Sequence, residues 1–94
     1  MSKTISIYTL ADILDKDLEL RRCANQNERW LAQFENCETK DKKSSSILTG
    51  SYGSGTDPIS ALNDYITQIK GKILVFDAGR DTRSEFNCPE NLIL

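Results

Sequence analysis

The chain has 94 residues, of which 38% are hydrophobic and 28% charged, enough for one small globular domain and too few for a second. A domain of this size buries only about 60–65% of the surface its unfolded chain exposes, so its core is thin and a homo-oligomer interface would stabilise it. With 12 Lys plus Arg against 14 Asp plus Glu, the net charge is -2, which removes the electrostatic case for non-specific nucleic-acid binding.

Alternating Ile5 and Ile7 predict a short strand, and Thr9 caps one or two helical turns carrying Leu10, Ala11, Ile13 and Leu14. The period-2 segment 18–24, the polar Asn25-Gln26-Asn27 and the aromatic segment 28–38 predict a β-hairpin. Its register follows from parity. Leu18 and Leu20 share one face of the first strand, and Trp30, Ala32 and Phe34 share one face of the second, so even numbers must pair with even numbers. A four-residue loop would set Leu20 against Gln33 and fails. A three-residue loop sets Leu20 opposite Ala32, Leu18 opposite Phe34 and Arg22 opposite Trp30, and offers Asn27 for the left-handed position such loops need. A five-residue loop is the alternative.

The stretch 39–46 carries no apolar residue and reads as an exposed, mobile loop, with a basic functional loop as the other reading. Ile47 to Tyr52 then returns as a third strand that ends in Gly53-Ser54-Gly55. Asp57 caps a helix over 58–70 with Pro58 at its first position, and Ile59, Leu62, Ile66 and Ile69 form its apolar stripe. Gly71 stops the helix, and 73–78 is a strand apolar on both faces, hence buried and central. Residues 79–94 read as a polar tail with short apolar ends. The expected fold is α+β: a single domain over 1–94, with a three- or four-stranded, mostly antiparallel sheet in β-β-β-α-β order and the main helix on one face.

The glycine-rich turn before the helix places Gly53, Gly55 and Thr56 where backbone N–H groups and the helix dipole can hold an anion. It matches no phosphate-loop pattern, and Asp57 occupies the cap, so a structural turn is the plainer reading. Arg22 opposite Trp30 makes either a stacking platform, extended by Tyr52, or an arginine lying along a core tryptophan. Arg29 adds a further basic group to the hairpin. Arg80 and Arg83 alternate with Asp77, Asp81 and Glu85 as a solvated, self-neutralised face.

Catalytic material is scarce. There is no histidine, Cys23, Cys37 and Cys88 show no C-x-x-C spacing, and Asp12 and Asp15 form an ordinary helical pair. The expectation is a non-enzyme with free, reduced thiols and without a metal or cofactor. The apolar runs, such as Ile73-Leu74-Val75-Phe76, fall far short of a membrane span, and Met1 to Thr4 leads into no signal-peptide segment; a cytoplasmic protein without membrane contact is expected.

The hairpin strand Arg29 to Phe34, a third strand, then Gly53-Ser54-Gly55-Thr56 leading into a helix with Ala61-Leu62, resembles HicB-type antitoxin N-terminal domains over roughly residues 18–78. That resemblance implies a degraded RNase H-like sheet and an antitoxin-type partner. The glycine-threonine-helix signature also resembles double-stranded-RNA-binding domains, but Asp57-Pro58-Ile59-Ser60 stands where their lysine-rich helix start would be. Over most of its length, through 18–22, 25–30, 34–40, 52–56 and 69–78, the chain resembles small proteins of bacteriophages and prophages. That resemblance implies an accessory protein acting in the host cytoplasm. It would block a host defence protein or, alternatively, act as a sponge for a nucleotide signal; the resemblance names no site, and the candidate binding residues come from the hairpin and the glycine-rich turn themselves: Arg22, Arg29, Trp30, Tyr52, Gly53, Gly55 and Thr56.

Overall fold

The computed structural model describes residues 3–24, 29–41 and 47–94. In chain order its elements are β1 (Ile5–Ser6), α1 (Ile7–Leu14), β2 (Leu18–Cys23), β3 (Arg29–Phe34), β4 (Cys37–Lys40), β5 (Gly53–Gly55), α2 (Pro58–Ile69), β6 (Ile73–Phe76), β7 (Ser84–Asn87) and β8 (Leu92–Ile93). The class is α+β, as the sequence predicts. The strands are divided among three small sheets instead of one: antiparallel β2-β3-β5, antiparallel β4-β6-β7, and the parallel pair β1-β8. The division arises at Asn36, whose positive φ of 52° turns the chain out of β3. Cys37 to Lys40 therefore leaves the hairpin, which sequence parity had extended to residue 38, and pairs with β6.

The hairpin register is the one parity demands, with Leu18 opposite Phe34, Leu20 opposite Ala32 and Arg22 opposite Trp30. The loop chosen to produce it, 25–27, lies outside the described residues. The third strand is Gly53–Gly55 alone. Of the expected strand over 47–52, Thr49 makes an isolated bridge to Thr39, with both backbone bonds at 2.8 Å. Thr39 and Lys40, expected in a loop, belong to β4; Thr39 is buried, and its Oγ1 lies 2.9 Å from Ser51 Oγ. The rest of that expected loop, 42–46, lies outside the described residues.

Helix α2 starts as predicted: Asp57 Oδ1 accepts from the Ser60 N–H at 2.8 Å, with Pro58 in the first turn. Its buried face is Ala61, Leu62, Tyr65, Ile66 and Ile69, whereas Ile59, assigned to the apolar stripe from spacing, is 51% exposed. The stripe is displaced because the helix lies on the glycines of β5, which draws in the small Ala61 and turns Ile59 to the flank. Gly71, at φ 77°, ends the helix as expected. In α1 the cap is Ser6, whose Oγ accepts from the Tyr8 N–H, and not Thr9.

The segment 79–94 is no tail. It returns as β7 alongside β6 and as β8 alongside β1, and it buries Cys88 and Leu92. Strand β6 is central, as its two apolar faces require, flanked by β4 and β7. Phe34 of the first sheet meets Phe76 of the second edge-on at 5.9 Å and Tyr65 of α2 at 6.0 Å, so one aromatic row joins both sheets and the helix into a common core.

Candidate surface on the three-stranded sheet

Successive strand residues point to opposite faces, and cross-strand partners share one. A Cβ built on Gly53 would lie 2.1 Å from the Ala61 carbonyl oxygen, so the row Ala32–Gly53 faces α2, and with it Trp30, Phe34, Leu18, Leu20 and Arg22. Glu19, Arg21, Arg29, Leu31, Gln33 and Ser54 lie on the other face. Helix α2 packs over β3 and β5. On the face turned away from it, Glu19, Arg21, Leu31 and Gln33 line a small cleft, and Arg29, Ser54, Gly55 and Thr56 line a shallow depression at the hairpin end.

The seven residues singled out from sequence are thereby separated. Arg22, Trp30 and Gly55 form one cross-strand row on the helix side, where Trp30 packs against the core. Arg29 and Thr56 border the depression with Gly55. Tyr52 is exposed ahead of β5, at the end of that strand remote from Gly55, and its carbonyl accepts from Gln68 Nε2 at 2.8 Å. It does not extend the Arg22–Trp30 pair.

The glycine-rich segment is a strand and not an anion-holding turn. Gly53 and Gly55 pair with Ala32 and Trp30, and the intervening Ser54 N–H donates to Asp64 Oδ2 at 2.9 Å. Both glycines serve close packing: a Cβ on Gly55 would lie 2.6 Å from Ser60 Cβ, and one on Gly53 2.4 Å from the Tyr65 nitrogen. Asp57 caps the helix through Ser60 with both carboxylate oxygens, at 2.8 and 3.1 Å. Gly53 and Gly55, singled out from sequence as binding residues, are thus placed with their amides in the β3–β5 ladder and their missing side chains against α2.

Sequence reasoning passed over Arg21, Leu31 and Gln33, which complete the open face. Parity alone places them there, once Ala32 and Phe34 are assigned to the core. Elsewhere, the expected self-neutralised charges centre on Glu85, which bridges Lys40 and Arg83 at 2.9 Å each. Lys40 first, then Arg83, holds its carboxyl below the usual range. Cys23, Cys37 and Cys88 are not joined in disulfides, and desolvation pushes the buried Cys37 thiol up to about 12. Among the described residues no group of His, Cys, Asp or Glu is arranged to hold a metal, and no helix is long and apolar enough to cross a membrane. Neither family models, nor curated proteins, nor solved structures match this chain.

Proposed function

We propose that this protein is a non-catalytic binding module that occupies a protein partner with the open face of the β2-β3-β5 sheet. The observation that carries the reading is the character of that face. Arginines Arg21 and Arg29 flank Leu31 on a sheet backed by α2, and the face itself holds the small cleft, with the depression at its hairpin end. Arginine beside apolar surface is the chemistry from which interface hot spots are made. The resemblance to small phage proteins supports the narrower reading, a blocker of a host defence protein. Sequestration of a nucleotide is the less favoured alternative, because the amides of 53–55 and the α2 N-terminus are engaged within the fold.

The test is quantitative capture from a bacterial lysate by the immobilised protein, comparing wild type with Arg29→Glu and Leu31→Asp. We expect a saturable protein partner that each variant loses by about tenfold or more in affinity while its melting temperature is kept. Equal capture by all three proteins would overturn the assignment of the face. A 260 nm-absorbing ligand released from purified wild type on denaturation, with no captured protein, would favour the nucleotide reading instead.

A further inference from the structure

The two edges of the β2-β3-β5 sheet are finished differently. At one edge β5 is three residues long, and its outward Ser54 N–H is covered by Asp64 of α2. At the other, β2 runs for six residues, pairs only with β3 among the described residues, and is exposed from Glu19 to Arg22. Leu20 is 42% exposed although it points to the helix side, because α2 lies over β3 and β5 and leaves β2 at the margin.

We infer that β2 is a self-pairing edge, at which two copies of the chain join antiparallel about a twofold axis with Leu20 against the partner's Leu20. The ladder phase comes first. The Glu35 N–H donates to the Asp17 carbonyl at 2.9 Å, in continuous register with Glu19–Gln33 and Arg21–Leu31. Bonded and non-bonded pairs alternate along an antiparallel ladder, so the amides and carbonyls of Leu18 and Leu20 point away from β3 into the open edge. A second strand can bond there only by pairing even residues with even residues.

The charges then choose among those registers. Centred on Leu20, the pairing sets Glu19 opposite the partner's Arg21 and Arg21 opposite the partner's Glu19. Both fall at the closely spaced, non-bonded positions, where opposite charges attract most. Sliding to the neighbouring permitted register on one side sets Glu19 opposite itself, and on the other side sets Arg21 opposite itself. Charged residues ordinarily deter edge pairing, but the order Glu19-Leu20-Arg21 makes them self-complementary in a single alignment. The same alignment covers Leu20 with its own symmetry mate, as an isologous interface requires. A second copy is therefore the occupant this edge fits, and the open faces of the two sheets become one continuous surface.

The experiment is sedimentation equilibrium on wild type, Glu19→Arg, Arg21→Glu, and an equimolar mixture of the two variants, with melting temperatures measured in parallel. Wild type is expected to be a concentration-dependent dimer. Each single variant places two like-charged pairs across the twofold and should weaken dimerisation by about tenfold or more. The mixture should recover it as a heterodimer, since every facing pair is again opposite in sign. A wild type that stays monomeric would overturn the proposal, as would a dimer that both single variants retain or a mixture that fails to recover one. Leu20→Pro gives an independent reading: it removes an outward N–H without touching the β2–β3 ladder, and should leave a folded monomer. A Leu20→Pro dimer of wild-type strength would likewise overturn the pairing.

Discussion

The hydroxyl of Tyr65 sits where β5 has run out of backbone. Phe34 lies beyond the last β3 residue paired to β5, its N–H points away from β2, and the Tyr65 hydroxyl accepts that bond at 3.0 Å inside the core. Tyr65→Phe keeps the ring and strands the buried donor, so chemical denaturation should show a loss of about 1–3 kcal/mol. Beside it, burial pushes the Cys37 thiol up to about 12 from 9.0, and burial also raises Tyr65. Below pH 9 both states keep the thiol proton and stability is at its full value. Between pH 9 and 12 only the unfolded chain releases it, so stability should fall with rising pH, by about 1.4 kcal/mol per unit for this one group. Tyr65 adds a slope of the same sign above pH 10. Urea denaturation at pH 8, 9 and 10 checks this, and Cys37→Ala should flatten the onset.

At the scale of elements, α2 shows how a helix face is selected by what it packs on. Spacing puts Ile59 and Leu62 on one stripe, yet contact with β5 buries Leu62 completely and leaves Ile59 half exposed. Leu62→Ala should cost about 2–5 kcal/mol, since it opens a cavity in a closed core. Ile59→Ala should cost under about 1 kcal/mol, being a partly solvated flank position. Thermal or urea unfolding of the two variants side by side measures the difference, and equal losses would put the helix in another rotation. The hairpin was legible because its signal is local: period-2 faces and a short loop leave few registers. The break at Asn36 was not, because a left-handed residue in the middle of an apolar-polar alternation leaves the alternation itself intact.

At the scale of the molecule, closure depends on contacts distant in sequence. Strands β1 and β8 pair in parallel, with Ile5 opposite Leu92, and Leu92 is buried against the core. Leu92→Ala should therefore cost about 2–5 kcal/mol, and hydrogen exchange at Ile5 and Ser6 should quicken more than in β3. Two-residue strands such as these have no periodicity to read, which is why 79–94 looks like a tail in the sequence.

Composition and parity by themselves determined the α+β class, the hairpin register, the capped start and glycine stop of α2, and the buried centrality of β6, because each is decided by neighbours within a few residues. Tertiary structure alone decided the division into separate sheets, the burial of Tyr65 in place of Ile59, and the conversion of the glycine-rich segment from a turn into a strand. It also decided which hairpin residues face outward together. Gly53 and Gly55 show the physical reason most directly. A glycine pair before a helix permits either an anion nest or contact between helix and strand backbones, and only the arrival of Ala61 and Tyr65 against β5 selects between them.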